Sequence, residues 1–393
     1  MDPSSPLTPL SALLDGALLA TMTGGEPCTP EALDPGTALV LSRFAWLRRE
    51  RDELVAETSR GPRRVVFADH RAAALALSFD SLRRVDDELA CAVGLPLPIA
   101  RQVTSLLWSA SVLIDPEEHR LEDEFPLAAW EFHDLLFHVR SRIGGHENQV
   151  GATYRFLDRL PPPPAFPSSC WSDVVALERI DHDAIERADP ALASVQAARR
   201  SVREYAERPI SIAQLATFLW RVGRAEDHWV LPIPGPPPNS ISFAAKPYPA
   251  AGSLYELELY TGVRSCQGLS PGLYHYVSDR HCLARVCGAT SELGALFARC
   301  AADIGVTSDS IQVLIVMTAR FARLAWKYES IAYALALKHV GIVVQNMYLV
   351  ATAMGLAPCA IATGDSALFA KASGVDHHEE PAVGEFALGS SPG

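Results

Sequence analysis

Five short segments carry side chains whose types and spacing could do chemistry. Arg199-Arg200-Ser201-Val202-Arg203 sets three guanidinium groups around one hydroxyl; on spacing alone such a set is as readily a solvated helix face as a binding site. Tyr248-Pro249-Ala250-Ala251-Gly252-Ser253 is a run of small residues ahead of an apolar stretch, and reads as a permissive loop-to-strand connection. Lys327-Tyr328 joins an amine to a phenol, two groups that can accept or relay a proton. At the start of an amphipathic helix the lysine would face solvent and the tyrosine would pack. Gln345-Asn346 interrupts an apolar run and must find hydrogen-bond partners, for which core carbonyls would suffice. His133, Asp134, His138, Arg140 and Arg142 read as a structural polar network or a peptide-contact surface, because His138 falls one position off the i,i+4 spacing from His133. His281, Cys282 and Cys287 are weak as ligands, so no metal site is expected.

Other chemistries are excluded by motif. No GxGxxG, GxxxxGK[ST] or HExxH occurs, which removes the common signatures of nicotinamide, nucleoside triphosphate and zinc chemistry. A GxSxG at 389–393 has no room for a following helix and is a chance match. The eight cysteines form no CxxC pair, which suggests neither a zinc site nor a disulfide framework and fits a reducing cytoplasm. With a formal charge of −12 and no basic run interleaved with aromatics, nucleic acid is not an expected partner. The first residues lack the pattern of a signal peptide. The apolar run from Val340 to Ala362 is broken by Gln345, Asn346, Thr352 and Pro358, and reads as a buried core helix rather than a membrane span.

The elements that must position these groups follow from periodicity. The 393 residues suggest two domains. Residues 1–37, rich in Pro, Gly, Ser and Thr, read as a flexible segment, and 38–160 as a small mixed α/β region with a strand at Arg64 to Ala68 and an amphipathic helix at Pro98 to Leu113. The prolines of 160–167 mark a linker over 161–185. Beyond it, a helix is predicted at Ser211 to Arg221, a Pro/Gly-rich loop at Pro232 to Pro238, and strands at Tyr255 to Thr261, Gly272 to Val277, Ile311 to Thr318 and Val383 to Leu388. Two helices are predicted at about Tyr328 to Lys338 and Val340 to Met354. The class is α+β.

Three of these segments together resemble the nitroreductase superfamily. Arg199-Arg200-Ser201-Val202-Arg203 is similar to its opening RxSxR motif, and Pro249-Ala250-Ala251-Gly252-Ser253 to its Pro-Ser-Ala-Gly turn, with Ala250 where serine is usual. The stretch from Gly341 through Gln345, Gly355, Leu356, Ala360 and Ile361 resembles its buried helix and following turn. Trp326-Lys327-Tyr328 resembles the Lys-Tyr pair of one branch, the azoline dehydrogenases, also called SagB-type dehydrogenases or thiazole/oxazole oxidases. The stretch from Trp130 to Arg142 is similar to one found upstream of the flavin domain in that branch.

The resemblance implies a nitroreductase-like FMN domain over 186–393, with a mainly antiparallel sheet wrapped by helices, preceded by a winged-helix-like region at 38–160 that binds peptide or a partner. It implies FMN held by Arg199, Arg200, Ser201 and Arg203, by Pro249 through Ser253, and by Gln345, Gly355, Leu356, Ala360 and Ile361. Lys327 and Tyr328 are the implied catalytic pair, acting on thiazoline or oxazoline rings of a ribosomally made peptide, with molecular oxygen taking up the electrons. A cyclodehydratase partner and a homodimer follow from the same resemblance. A nitro- or ene-reductase fed by a reduced nicotinamide cofactor, and a non-catalytic peptide-binding scaffold, are the alternatives.

Overall fold

A computed structural model describes residues 10–14, 17–25, 33–167, 173–233 and 239–392. The chain divides into two compact units, Met1–Val150 and Gly151–Gly393.

The first unit is built on a five-stranded antiparallel sheet, in the order Leu10–Leu14, Ala17–Thr23, Arg64–Phe67, Glu53–Thr58, Ala45–Glu50. Helices His70–Leu77, Asp87–Ala92 and Leu97–Ser109 contribute to its core, where Leu19, Met22, Val65 and Phe67 meet Leu75, Ala76, Val103 and Leu107. Val40–Leu41 pairs with Leu113–Ile114 beyond the third helix. The flexible segment expected at 1–37 is therefore corrected over two stretches, Leu10–Leu14 and Ala17–Thr23. Ala12, Leu19, Ala20 and Met22 are buried; Ala17–Thr23 pairs with Arg64–Phe67, far along the chain, and Leu10–Leu14 pairs with Ala17–Thr23, partners that local Gly and Pro content does not foretell. His133 is exposed on the helix Phe132–Arg140, whereas Arg140 bonds Glu57 at 3.2 Å and Glu57 also holds Arg48 at 2.7 Å, which makes Arg140 part of a structural polar network. Among the described residues no group of His, Cys, Asp and Glu is arranged to hold a metal ion.

The second unit has a seven-stranded, wholly antiparallel sheet: Leu356–Ile361, Ala382–Ser390, Val313–Ala319, Leu257–Val263, Gly272–Val277, Cys282–Cys287, Val174–Ala176. Strand alternation feeds two cores. Val313, Ile315 and Met317 pack with residues of the helices Ile212–Gly223 and Ala332–Ala353, while Leu314 and Val316 pack with residues of Ser291–Ile304 and Phe369. Ile212–Gly223 starts at a capping box in which Ser211 Oγ accepts from the Gln214 amide at 3.2 Å and Gln214 Oε1 accepts from the Ser211 amide at 2.9 Å.

Three expectations change here. The two helices predicted around 328–354 are one, Ala332–Ala353, because burial of Ala336, His339, Val343 and Met347 outweighs the helix weakness of Gly341, about 1 kcal/mol relative to alanine. This helix is also long and apolar enough to cross a bilayer, yet its buried residues belong to the core of the unit. The loop expected at Pro232 to Pro238 begins instead as a strand, Asp227–Ile233, which pairs with Asn239–Ala245; residues 234–238 lie outside the described set. The linker expected at 161–185 contains the edge strand Val174–Ala176, and its prolines are anchored.

That anchor follows from proline chemistry: a proline run lacks N–H donors but keeps its carbonyls, so it needs donors from elsewhere. Arg323 donates to Pro163 O at 2.6 Å, Ser242 O at 3.0 Å and Leu254 O at 2.7 Å. Arg320 donates to Pro164 and Ala165, and Trp326 Nε1 to Leu160 O at 2.7 Å. Arg323 is 2% exposed, and burial together with nearby Arg320 brings its pKa down to about 10. Replacing Arg323 with methionine fills similar space but strips the donors from three carbonyls. The expected loss is roughly 3–5 kcal/mol, a fall of about 10 °C in the midpoint of thermal unfolding followed by circular dichroism.

Candidate active site

The sequence-derived residues fall into two clusters joined by the helix Ala332–Ala353. The first gathers Lys327, Tyr328 and the 249–253 turn. Helix Phe321–Lys327 ends at the lysine, and Tyr328–Glu329 continues as a short strand paired with Gly151–Ala152. Tyr154, just beyond that pairing, donates its amide to Lys327 O at 3.2 Å and packs edge-on against Trp326. Lys327 Nζ lies 5.9 Å from the Tyr154 ring centroid and 5.3 Å from that of Tyr328, so two aromatic faces border the amine. Among the described residues Lys327 makes no ion pair.

Opposite the pair is Gly252, with φ +57°. A Cβ there would lie 2.5 Å from Lys327 Nζ and 2.7 Å from Tyr328 Oη, which puts amine and phenol in the space that a side chain at 252 would fill. Ala251–Ser253 forms a single 3-10 turn entered through Ala250 in extended conformation, with Pro249 exposed. Ser253 and Tyr255 also have positive φ, +55° and +47°. The Ala251 amide donates to His339 Nε2 at 2.9 Å, and His339 Nδ1 is 2.7 Å from Glu256 Oε1.

The second cluster gathers Arg199 to Arg203 and the 355–361 segment around Tyr348. The Tyr348 hydroxyl lies 2.7 Å from Ser201 Oγ and accepts from the Ala360 amide at 2.8 Å. The Arg199 guanidinium lies over the Tyr348 ring at 5.2 Å, and the Val202 amide donates to Pro358 O at 2.8 Å. Gly355, at φ +65°, turns the chain from the long helix into Leu356–Ile361, where Leu356 and Ile361 are buried. Burial raises the Cys359 thiol pKa, and Arg203 and the Ser201 hydroxyl oppose that rise. Arg200 and Arg203 are exposed, and among the described residues none of the three guanidinium groups forms an ion pair. Gln345 is exposed on the helix, while Asn346 Nδ2 reaches Val222 O at 3.4 Å.

The sequence reading missed Tyr348, His339, Glu256 and Tyr154 as parts of the site. Tyr348 lies one helical turn beyond Gln345 on an apolar helix, where a tyrosine reads as core, and Tyr154 arrives through strand pairing that carries no local pattern. Replacing Tyr348 with phenylalanine leaves the Ala360 amide and Ser201 hydroxyl without their shared partner. The expected cost is about 1–3 kcal/mol in denaturant unfolding, with the midpoint lowered and the slope unchanged.

A family model described as the nitroreductase family matches residues 197–390. A nitroreductase-designated protein of Methanocaldococcus jannaschii is 31% identical over 158 residues, 40% of this chain and 71% of its own length. The chain belongs to the nitroreductase family of oxidoreductases. A second model, described as cyanobactin oxidase ThcOx, matches residues 39–147. Among solved structures, a nitroreductase-designated protein of Ralstonia eutropha JMP134 is 16% identical, with 60% of this chain and 95% of that one covered at a TM-score of 0.43. A chain of the E. coli microcin synthetase McbBCD complex with truncated pro-MccB17 bound is 18% identical, with coverage of 65% and 91% and a TM-score of 0.41. The family assignment rests on the sequence matches.

Proposed function

We propose that this protein oxidises thiazoline or oxazoline rings of a ribosomally made peptide to thiazole or oxazole, using FMN. The observation that carries the reading is the meeting of the Lys327 amine and Tyr328 phenol at Gly252, inside a nitroreductase-family domain. The ThcOx match over 39–147 supports the oxidase branch and a peptide substrate.

The residues present suit the cofactor. Three guanidinium groups without a carboxylate partner among the described residues suit a phosphate, and the 250–253 turn presents small residues to a flat ring. FMN, when bound, supplies a two-electron hydride acceptor. Aromatising an azoline also releases a proton, and Lys327 in its neutral form accepts it at Nζ. Tyr328 polarises the ring or relays that proton. The electrons pass on to molecular oxygen, with peroxide as the by-product. Tyr333 and Leu337, one turn apart on the long helix, are 44% and 39% exposed, and a second copy of the chain is proposed to cover them. A cyclodehydratase is the proposed partner that supplies the azoline.

An absorbance spectrum of the purified protein, then mass spectrometry of an azoline peptide incubated with it in air, tests the reading. The expected outcome is a yellow protein that removes two hydrogens per ring. Bleaching by NADPH without peptide, and no change in the peptide, would favour a nitro- or ene-reductase. A colourless protein that takes up no FMN would leave only a binding scaffold.

A further inference from the structure

The 250–255 turn is held in an unfavourable backbone shape. Ser253 and Tyr255 are non-glycine residues at positive φ, a strained conformation that persists only where the surroundings impose it. Among the described residues, Arg323 Nε reaches Leu254 O at 2.7 Å and His339 Nε2 reaches the Ala251 amide at 2.9 Å, both from outside the turn. The histidine bond is chemically selective. A backbone amide only donates, so Nε2 must keep its lone pair, and the ring proton then resides on Nδ1, where Glu256 Oε1 accepts it at 2.7 Å. Glu256 is 0% exposed and His339 4%, so neither has water as an alternative partner.

We propose that His339, fixed in its Nδ1–H tautomer by Glu256, is the positioning residue that holds the 250–253 turn against Lys327 and Tyr328. It touches neither the amine nor the phenol; it acts through the Ala251 amide, and so sets where Gly252 meets the pair. The effect on turnover rests on the azoline-oxidase reading, whereas the tautomer and the state of the turn do not.

Three measurements on the full-length protein test it. Nitrogen-15 spectra of the flavin-free wild type at neutral pH are expected to show His339 protonated at Nδ1 and bare at Nε2; a ring protonated at Nε2 overturns the proposal without any variant. Amide hydrogen exchange, also without flavin, is expected to quicken about tenfold or more across 249–254 in His339→Leu. It should stay near the wild-type rate in His339→Gln, whose side-chain oxygen reaches the Nε2 position. With FMN and an azoline peptide, His339→Leu is expected to lose roughly 10–100-fold in kcat while KM stays within about twofold, and His339→Gln to recover most of the loss. A His339→Leu protein that melts earlier but keeps wild-type exchange at 249–254 and wild-type kcat shows a purely structural histidine and overturns the proposal. If neither variant turns over peptide because the wild type does not, the spectra and the exchange rates still decide.

Discussion

Lys327→Ala is expected to lower azoline oxidation by about 10²–10⁴-fold while the protein keeps its yellow colour. The loss follows from removing the amine that is bordered by Tyr154 and Tyr328 and lies against Gly252. The colour follows from distance. Arg199, Ser201 and Arg203 belong to the cluster at Tyr348, nine residues along the helix from His339, about 13 Å by helical rise. A flavin phosphate held there does not depend on Lys327. Lys327→Arg separates base from charge: arginine keeps the positive charge but does not deprotonate, so it is expected to be as inactive as alanine. Single-turnover spectroscopy under nitrogen makes the check direct, because the flavin should stay oxidised when Lys327→Ala is mixed with azoline peptide. Rapid bleaching in that experiment would show that Lys327 is not the base.

Much of this site was legible in the sequence because its parts are local. Lys327 and Tyr328 are neighbours, and the turn of small residues stands directly before a strand, so their contributions survive as short motifs. The strand Gly272–Val277 was also read to the residue, since its apolar run is bounded by Pro271 and by the turn after Val277. What stayed hidden depends on contacts between segments far apart in the chain. Ser201 and Ala360 were both read as cofactor contacts, yet each is bonded to Tyr348, a residue with no motif of its own. Gln345 was read as partnered by core carbonyls, by the flavin or across a dimer interface, and its position on the helix leaves it exposed in the single chain. The proline run looked like a bare linker because its function lies in carbonyls met by Arg320, Arg323 and Trp326, about 160 positions later. The strand at 17–23 was obscured in the same way, since it pairs with Arg64–Phe67, and the edge strand at 10–14 pairs with it in turn.

Gly252→Ala is expected to give a folded protein with turnover reduced on the order of 100-fold. Two costs must be told apart. At φ +57° an alanine pays about 1 kcal/mol in backbone strain, a fall of about 2–4 °C in melting temperature for a unit of this size. Its methyl group would also meet Lys327 Nζ at 2.5 Å and Tyr328 Oη at 2.7 Å. Those atoms end flexible side chains, so they yield before the backbone does. The clash is therefore absorbed as displacement of the proposed catalytic pair rather than as unfolding, and a shift of about 1 Å is enough for a loss of that size. Gly305→Ala is the matched control. Gly305 caps the helix Ser291–Ile304 at φ +73° and has open space around it, so alanine there carries the strain without the clash. Equal melting temperatures with activity lost only in Gly252→Ala would tie turnover to the position of the amine and phenol. Equal activity in the two variants would mean that the reaction does not use the space where Lys327 and Tyr328 meet.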